Sequence, residues 1–309
     1  MRIYQHFNQA KQDKSIQRVA IGFFDGLHLG HAEVILGADT SLVPRTCVIT
    51  FQQHPFSVLF PQKAPLLITS LEHKFYLLKK WDVGTVLNLQ FDDAQSKQSA
   101  PDFLNQLKEN FPSLTHISVG PNFRFGYKRL GTLEHLQAWC TRENVALKVP
   151  QPVTIGGEII SSSRIRQALQ QDDLQGAKSL LGHPYSLFGT VITGEKLGRT
   201  LGWPTANLNT HVTPICSTGV YAGLAILENG QAYKAAINIG HRPTVSRDRD
   251  IHTEAHLLEF NETIYDQNLE IELHHKIRDE VKFDSLEALK KQVEQDIAKV
   301  RGLETLNIK

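Results

Sequence analysis

Along the first half of the chain, short apolar runs alternate with longer stretches in which apolar residues recur every three or four positions. The runs at 18–23, 46–51 and 86–89 read as strands, and the stretches from Ala32 onward and at 70–81 read as helices. Further strand candidates at 116–119 and 146–149 bracket a helical pattern at 132–141. This alternation predicts an α/β domain, a parallel sheet wrapped by helices. Ligands of such sheets bind at the carboxyl ends of the strands.

Around Leu180-Leu181-Gly182-His183-Pro184 the pattern changes, because a helix ends on glycine, proline follows, and helices nearly disappear. Segments 189–192, 220–227, 232–239, 252–260 and 269–276 read as consecutive strands, which favours a closed barrel. The predicted domains are therefore 1–183 and 184–309. The second ends in a helix. Asp284-Ser285-Leu286-Glu287 predicts a capping box, and Leu286, Leu289, Val293, Ile297 and Val300 form one stripe that predicts packing against the barrel.

Composition narrows the setting. The chain has 309 residues, 41% hydrophobic and 21% charged, with a net charge of +1. That balance offers no whole-chain case for a nucleic-acid or membrane-surface protein and favours small anionic ligands. Cys47, Cys140 and Cys216 are odd in number and widely spaced, which argues against a disulfide framework and for a reducing cytoplasm. The amino terminus lacks the pattern of a signal peptide, and no apolar run approaches the roughly 18 residues of a membrane span. Nothing in the sequence speaks to oligomeric state.

The first candidate chemistry is Gly22-Phe23-Phe24-Asp25-Gly26-Leu27-His28-Leu29-Gly30-His31, which follows an apolar run and opens a helix. Its glycines permit a tight strand-to-helix turn, and His28 and His31 share one face of the first helical turn. Backbone N–H groups and the positive helix end join them in a site for phosphate oxygens. Gly22, Phe24, Asp25 and Gly30 are the other expected phosphate-binding positions. Histidines on a helix are otherwise surface or core residues. The segment Ile160-Ser161-Ser162-Ser163-Arg164-Ile165-Arg166 either caps a helix through its serines or adds hydroxyls and a guanidinium fork to a triphosphate cradle. Ser162, Ser163 and Arg166 are the candidates there. Such a cradle suits nucleotidyl transfer with magnesium, in which positioning and charge neutralisation do the work.

A second candidate is Gly194-Glu195-Lys196-Leu197-Gly198-Arg199-Thr200-Leu201-Gly202-Trp203-Pro204-Thr205-Ala206-Asn207. It reads either as turn chemistry between strands or as a phosphate loop using Gly194, Lys196, Gly198 and Arg199, with Thr205 and Asn207 as hard oxygen ligands for magnesium. Transfer to an alcohol also needs a base. Glu254 is the candidate, on the same strand face as His256, Leu258 and Phe260; a cross-strand salt bridge is the alternative.

Residues 22–31, Phe51-Gln52-Gln53-His54-Pro55, Val119-Gly120-Pro121-Asn122-Phe123-Arg124-Phe125-Gly126 and residues 161–166, in this order, resemble the adenylyltransferase module of bacterial bifunctional riboflavin kinase/FAD synthetases. Residues 194–207, Gly219-Val220-Tyr221-Ala222, Asn238-Ile239-Gly240-His241-Arg242-Pro243-Thr244, Thr253-Glu254-Ala255-His256 and the 283–296 tail resemble that family's riboflavin kinase module. The resemblance spans nearly the whole chain. It implies a Rossmann-like nucleotidyltransferase domain followed by a six-stranded Greek-key barrel, with ATP, riboflavin and FMN as substrates. It further implies that His28 and His31 grip ATP phosphates with help from Ser162 and Arg166. Asn122, Phe123, Arg124 and Phe125 would lie near flavin in the first module, and Tyr221 and Arg242 in the second. Magnesium would sit near Thr205 and Asn207, and Glu254 would activate the ribityl 5′-hydroxyl.

Four positions depart from the family pattern. Phe23 stands in place of asparagine, Gln53 of proline, Asn122 of aspartate, and Asp266 of glycine. The glycine implies a positive φ that aspartate tolerates. Two rival readings stay open at this point. One is a nucleotidyltransferase for another phosphorylated acceptor, and the other is a flavin-binding regulatory protein with one inactive module.

Overall fold

A computed structural model describes residues 1–37, 39–194, 197–241 and 251–306. They group into two compact units, Met1–Pro65 with Lys74–Ser161, and Leu66–His73 with Ser162–Lys309. The helices Ser162–Gln170 and Leu174–Leu181 thus group with the barrel, on the far side of the 183/184 boundary read from the sequence.

The first unit holds six parallel strands: β1 (Arg2–Tyr4), β2 (Arg18–Ile21), β3 (Thr46–Phe51), β4 (Thr85–Leu89), β5 (His116–Val119) and β6 (Ala146–Lys148), in the order β1-β4-β3-β2-β5-β6. Strands β2 and β4 are buried along their whole length, as expected of a sheet covered on both faces. Val19, Ile21, Ile49, Leu87 and Ile117 pack into one core, and Ala20, Val48 and Val86 into the other. The order reverses at β2, whose carboxyl end lies between β3 and β5. A ligand site belongs at that switch point. A two-stranded hairpin, β7 (Thr154–Ile155) and β8 (Glu158–Ile159), completes the unit's strands.

The second unit is a closed antiparallel barrel of β9 (Tyr185–Ile192), β10 (Ala206–Asn209), β11 (Gly219–Leu227), β12 (Ala232–His241), β13 (Ile251–Leu257) and β14 (Asn268–Asp279). Strands β11, β12 and β13 pair in sequence, β10 closes between β13 and β9, and β14 returns between β11 and β9. Backbones come very close here: a Cβ built on Gly223 would lie 1.8 Å from the carbonyl oxygen of Glu272. Strand β13 stops at Leu257, so Leu258 and Phe260 fall outside the strand that was predicted to reach 260. Glu259 follows with φ 61°.

The last helix, Leu286–Gly302, begins on Ser285, whose hydroxyl accepts from the Ala288 N–H at 3.1 Å. Glu287 therefore falls one position short of closing the expected capping box and serves instead as a first-turn carboxylate. Ile297 and Val300 pack with Ala222, Leu224 and Leu258 as the stripe predicted. Val293 packs against the same cluster and, with Leu289 and Ile297, lines a cavity, while Leu286 is exposed.

Candidate active sites

Residues 22–28 leave the carboxyl end of β2 in a turn with φ of 56° at Phe24, 83° at Gly26 and 44° at Leu27. The helix Leu29–Ile35 starts immediately afterwards, with His28 as its N-cap. The His28 Nδ1 accepts from the His31 N–H at 3.2 Å, which leaves Nε2 to carry the ring proton. The two imidazoles stack with centroids 3.5 Å apart and planes at 16°. Gly30 makes this possible, since a Cβ there would stand 3.2 Å from His28 Cε1. Burial pushes the His28 pKa down to about 4. It also pushes His31 well below the usual histidine range, with the neighbouring His28 and Lys74 adding to the effect. Both rings are neutral hydrogen-bonding groups at pH 7.

Phe24, expected at the phosphates, is instead a core residue, 4% exposed and packed on Val34, Val48 and Val86. Its ring lies against Gly22, where a Cβ would approach it to 2.8 Å, and meets His31 edge-on at 5.3 Å. Asp25 is buried in the same turn. Two cations missed by the sequence reading hold the element. Arg18 donates to Thr46 Oγ1 at 2.8 Å and to the carbonyls of Ile35 and Leu36, so it clamps the carboxyl end of the histidine helix. Lys74 donates to the Phe23 carbonyl at 2.6 Å. Lys74 was legible as a charge on the apolar face shared by Leu77, Leu78 and Trp81, three, four and seven positions on.

At the end of the adjacent strand β5, Asn122 and Arg124 are exposed, and Phe123 stacks on Phe125 at 5.5 Å and 16°. Phe125 is core, fixed by paired backbone hydrogen bonds with Gly131, and supports Phe123 from within. Ser162, Ser163 and Arg166 lie on the helix Ser162–Gln170 in the other compact unit, where Arg166 Nε donates to the Leu66 carbonyl at 2.6 Å.

In the barrel a cavity of about 390 Å³ gathers Gly198, Thr205, Asn207 and Glu254. Glu254 stands on β13 directly between Asn207 of β10 and Asn238 of β12, both also on the cavity wall. The cross-strand partners are thus neutral amides rather than a cation. The neighbouring imidazole is His252 on the same strand, with Nε2 3.6 Å from Glu254 Oε1. His256 is tied to the Pro204 carbonyl at 2.9 Å. Val281, Phe283, Leu289, Val293 and Ile297 give the cavity its apolar lining, and Arg278 also lines it, paired to Asp296 at 2.8 Å.

The segment 194–207 is not all loop: it contains a short helix, Leu197–Leu201, closed by Trp203 N–H donating to the Gly198 carbonyl. A Cβ on Gly194 would lie 2.5 Å from Asn207 Nδ2, and one on Gly198 would lie 2.4 Å from the Trp203 carbonyl oxygen. Both glycines are there for close approach. Lys196, Arg242 and the Arg199 side chain lie outside the described residues. Tyr221 is fully buried with its hydroxyl bonded to the Ser217 carbonyl and to Asp172, off the cavity wall where a flavin contact was expected. The register that lines up Glu254 with Asn238 and Val220 puts Val220, not Tyr221, on the cavity wall.

Residues 10–164 match a family model described as FAD synthetase, and residues 181–303 match one described as riboflavin kinase. The chain belongs to the bifunctional riboflavin kinase/FMN adenylyltransferase family. It is 40% identical over 285 residues to a bifunctional riboflavin kinase/FMN adenylyltransferase of Haemophilus influenzae, covering 90% of this chain and 91% of that one. Relatives of the same description from Escherichia coli and Bacillus subtilis are each 35% identical, with 94% of this chain and 93% of theirs covered. A crystal structure described as a macrolide-efflux protein from Streptococcus pneumoniae is 27% identical with a TM-score of 0.80, covering 98% of this chain and 100% of that one. It supports the fold. Among the described residues no helix is long and apolar enough to cross a membrane. The histidine turn falls in the FAD synthetase match and the Glu254 cavity in the riboflavin kinase match.

Proposed function

We propose that the barrel cavity phosphorylates riboflavin and that the histidine turn serves adenylylation of the product, so that one chain carries flavin from riboflavin through FMN to FAD. The observation that carries the reading is Glu254 facing a half-apolar cavity between two carboxamides, with Thr205 and Asn207 beside it. The apolar lining suits the flavin ring system. Glu254 takes the proton of the ribityl 5′-hydroxyl as that oxygen attacks the γ-phosphorus of ATP and ADP leaves. Thr205 also lines a second, smaller cavity of about 220 Å³ with Pro204, Leu257 and Tyr265.

The oxygen donors fit magnesium. Thr205 and Asn207 present a hydroxyl and an amide oxygen, and no cluster of three or more His, Cys, Asp or Glu suited to a transition metal occurs among the described residues. When bound, magnesium neutralises phosphate charge. Gly194 and Gly198, where a side chain would strike Asn207 and the Trp203 carbonyl, keep that corner tight.

In the first module an FMN phosphate oxygen attacks the α-phosphorus of ATP, the bond to the β-phosphate oxygen breaks, and pyrophosphate leaves. His28 Nε2–H and the N–H groups that open the helix donate to phosphate oxygens. Asn122, Phe123 and Arg124, at the end of the neighbouring strand, are proposed to meet FMN. Ser162, Ser163 and Arg166 are proposed to assist with ATP on the strength of the family resemblance. Three free, buried cysteines fit a cytoplasmic setting.

Replacing Glu254 by Gln is expected to abolish FMN formation while FAD formation from supplied FMN continues. His28→Ala is expected to do the reverse. Chromatographic assay of both half-reactions checks the pair, and a kinase left intact in Glu254→Gln removes Glu254 from the mechanism.

A further inference from the structure

The histidine turn rests on a buried cation that the mechanism above leaves unused. Lys74, on the helix Leu71–Lys80, is 2% exposed. Its Nζ donates to the Phe23 carbonyl at 2.6 Å and lies 3.4 Å from Thr50 Oγ1. The same atom stands 3.9 Å from the centroid of the Phe23 ring. Thr50 donates to that same Phe23 carbonyl at 3.0 Å.

A leucine or methionine would fill this volume without removing an ammonium from water, so the charge needs a reason. Two physical effects supply one. Anchoring the Phe23 carbonyl fixes one peptide plane of the turn and, because that peptide is trans, directs the Phe24 N–H to the side away from the lysine. The ammonium also places a full positive charge directly behind a turn whose two histidines are neutral at pH 7. Phe23, in place of the asparagine that the family resemblance leads one to expect, covers the ammonium with its ring face and offsets part of the lost hydration.

We propose that Lys74 is a positioning residue for ATP in the adenylyl transfer, fixing the Phe23 peptide and supplying the positive charge behind the turn. The proposal rests on the reading of residues 22–31 as the ATP phosphate site. The titratable groups facing Lys74 are Asp25 in the turn and His31 in the helix it opens. Burial lowers the Lys74 pKa to about 8, with Asp25 opposing. The charge is therefore present below that pH and lost above it.

The test measures kcat/KM for ATP in FAD formation from supplied FMN, across pH 6.5 to 9.5, for the full chain and for Lys74→Met and Lys74→Arg. Lys74→Met is expected to lose about tenfold to a hundredfold at pH 7. Riboflavin phosphorylation by the same preparation should stay unchanged. Lys74→Arg, whose charge persists at high pH, is expected to recover most of the activity and to lack the alkaline decline near pH 8 that the unmodified chain shows. Adenylyl transfer within twofold of normal in Lys74→Met overturns the proposal, and so does an alkaline decline that persists unmoved in Lys74→Arg. Should Lys74→Met fail to fold, the pH profile of Lys74→Arg decides alone. A normal His28→Ala instead brings down the phosphate-site reading itself, which separates the two failures.

Discussion

A histidine that caps its own helix has one nitrogen left to give. His28 spends Nδ1 on the His31 N–H, so its remaining N–H is fixed in place before any nucleotide arrives. The same burial makes the site sensitive to acid. The folded pKa is about 4 against an ordinary 6.5, so the unfolded chain binds the proton first, and stability present above 6.5 is lost as pH falls toward 4. The loss attributable to this ring approaches about 3 kcal/mol at full protonation. His28→Asn keeps a capping side chain but cannot take the proton, and its thermal unfolding is expected to depend less on pH between 6.5 and 4. An identical acid profile for the two proteins would exclude His28 as the source. At this scale much was legible. That His28 and His31 meet at the start of one helix follows from residue type and spacing, and the positive φ at position 266, observed as 62° at Asp266, was implied by the family resemblance. Phe24 and Tyr221 were not legible, because an aromatic residue inside a motif carries no mark telling whether it faces ligand or core.

Elements carry those residues to their places through close backbone contacts. Gly223 is the clearest case: its neighbour on the paired strand β14 is a backbone carbonyl that cannot swing aside. Gly223→Ala is expected to destabilise the barrel by at least about 1–3 kcal/mol, read as a fall in the thermal midpoint with loss of kinase activity near it. Gly302→Ala, with nothing within 4 Å of the new methyl, serves as the neutral control. Equal stability of the two variants would show that β11 and β14 shift freely against each other. The helices at 71–80 and 133–143 were read from the sequence, whereas the helix Ala100–Asn110 was missed although Phe103, Leu104 and Leu107 recur on its buried face. Strand β1 was missed because it is three mostly exposed residues, and β10 because Ala206-Asn207-Leu208-Asn209 offers polar residues at alternate positions. The helix Leu197–Leu201 was hidden by flanking glycines that read as loop.

For the molecule as a whole, the sequence pattern and the family matches agree on two modules and on the order in which they occur along the chain. What the pattern does not disclose is how distant residues converge. Arg278 and Asp296 reach the Glu254 cavity from β14 and the last helix, and no local spacing links them to position 254. At this scale one chain performs two consecutive transfers to flavin. The direct measurement is a time course of the purified protein with riboflavin, ATP and magnesium, resolving riboflavin, FMN and FAD by chromatography. FMN is expected to appear first and FAD to follow at its expense, with pyrophosphate released in step with FAD; riboflavin left unchanged, or FMN that never proceeds to FAD, would contradict two consecutive transfers by one chain.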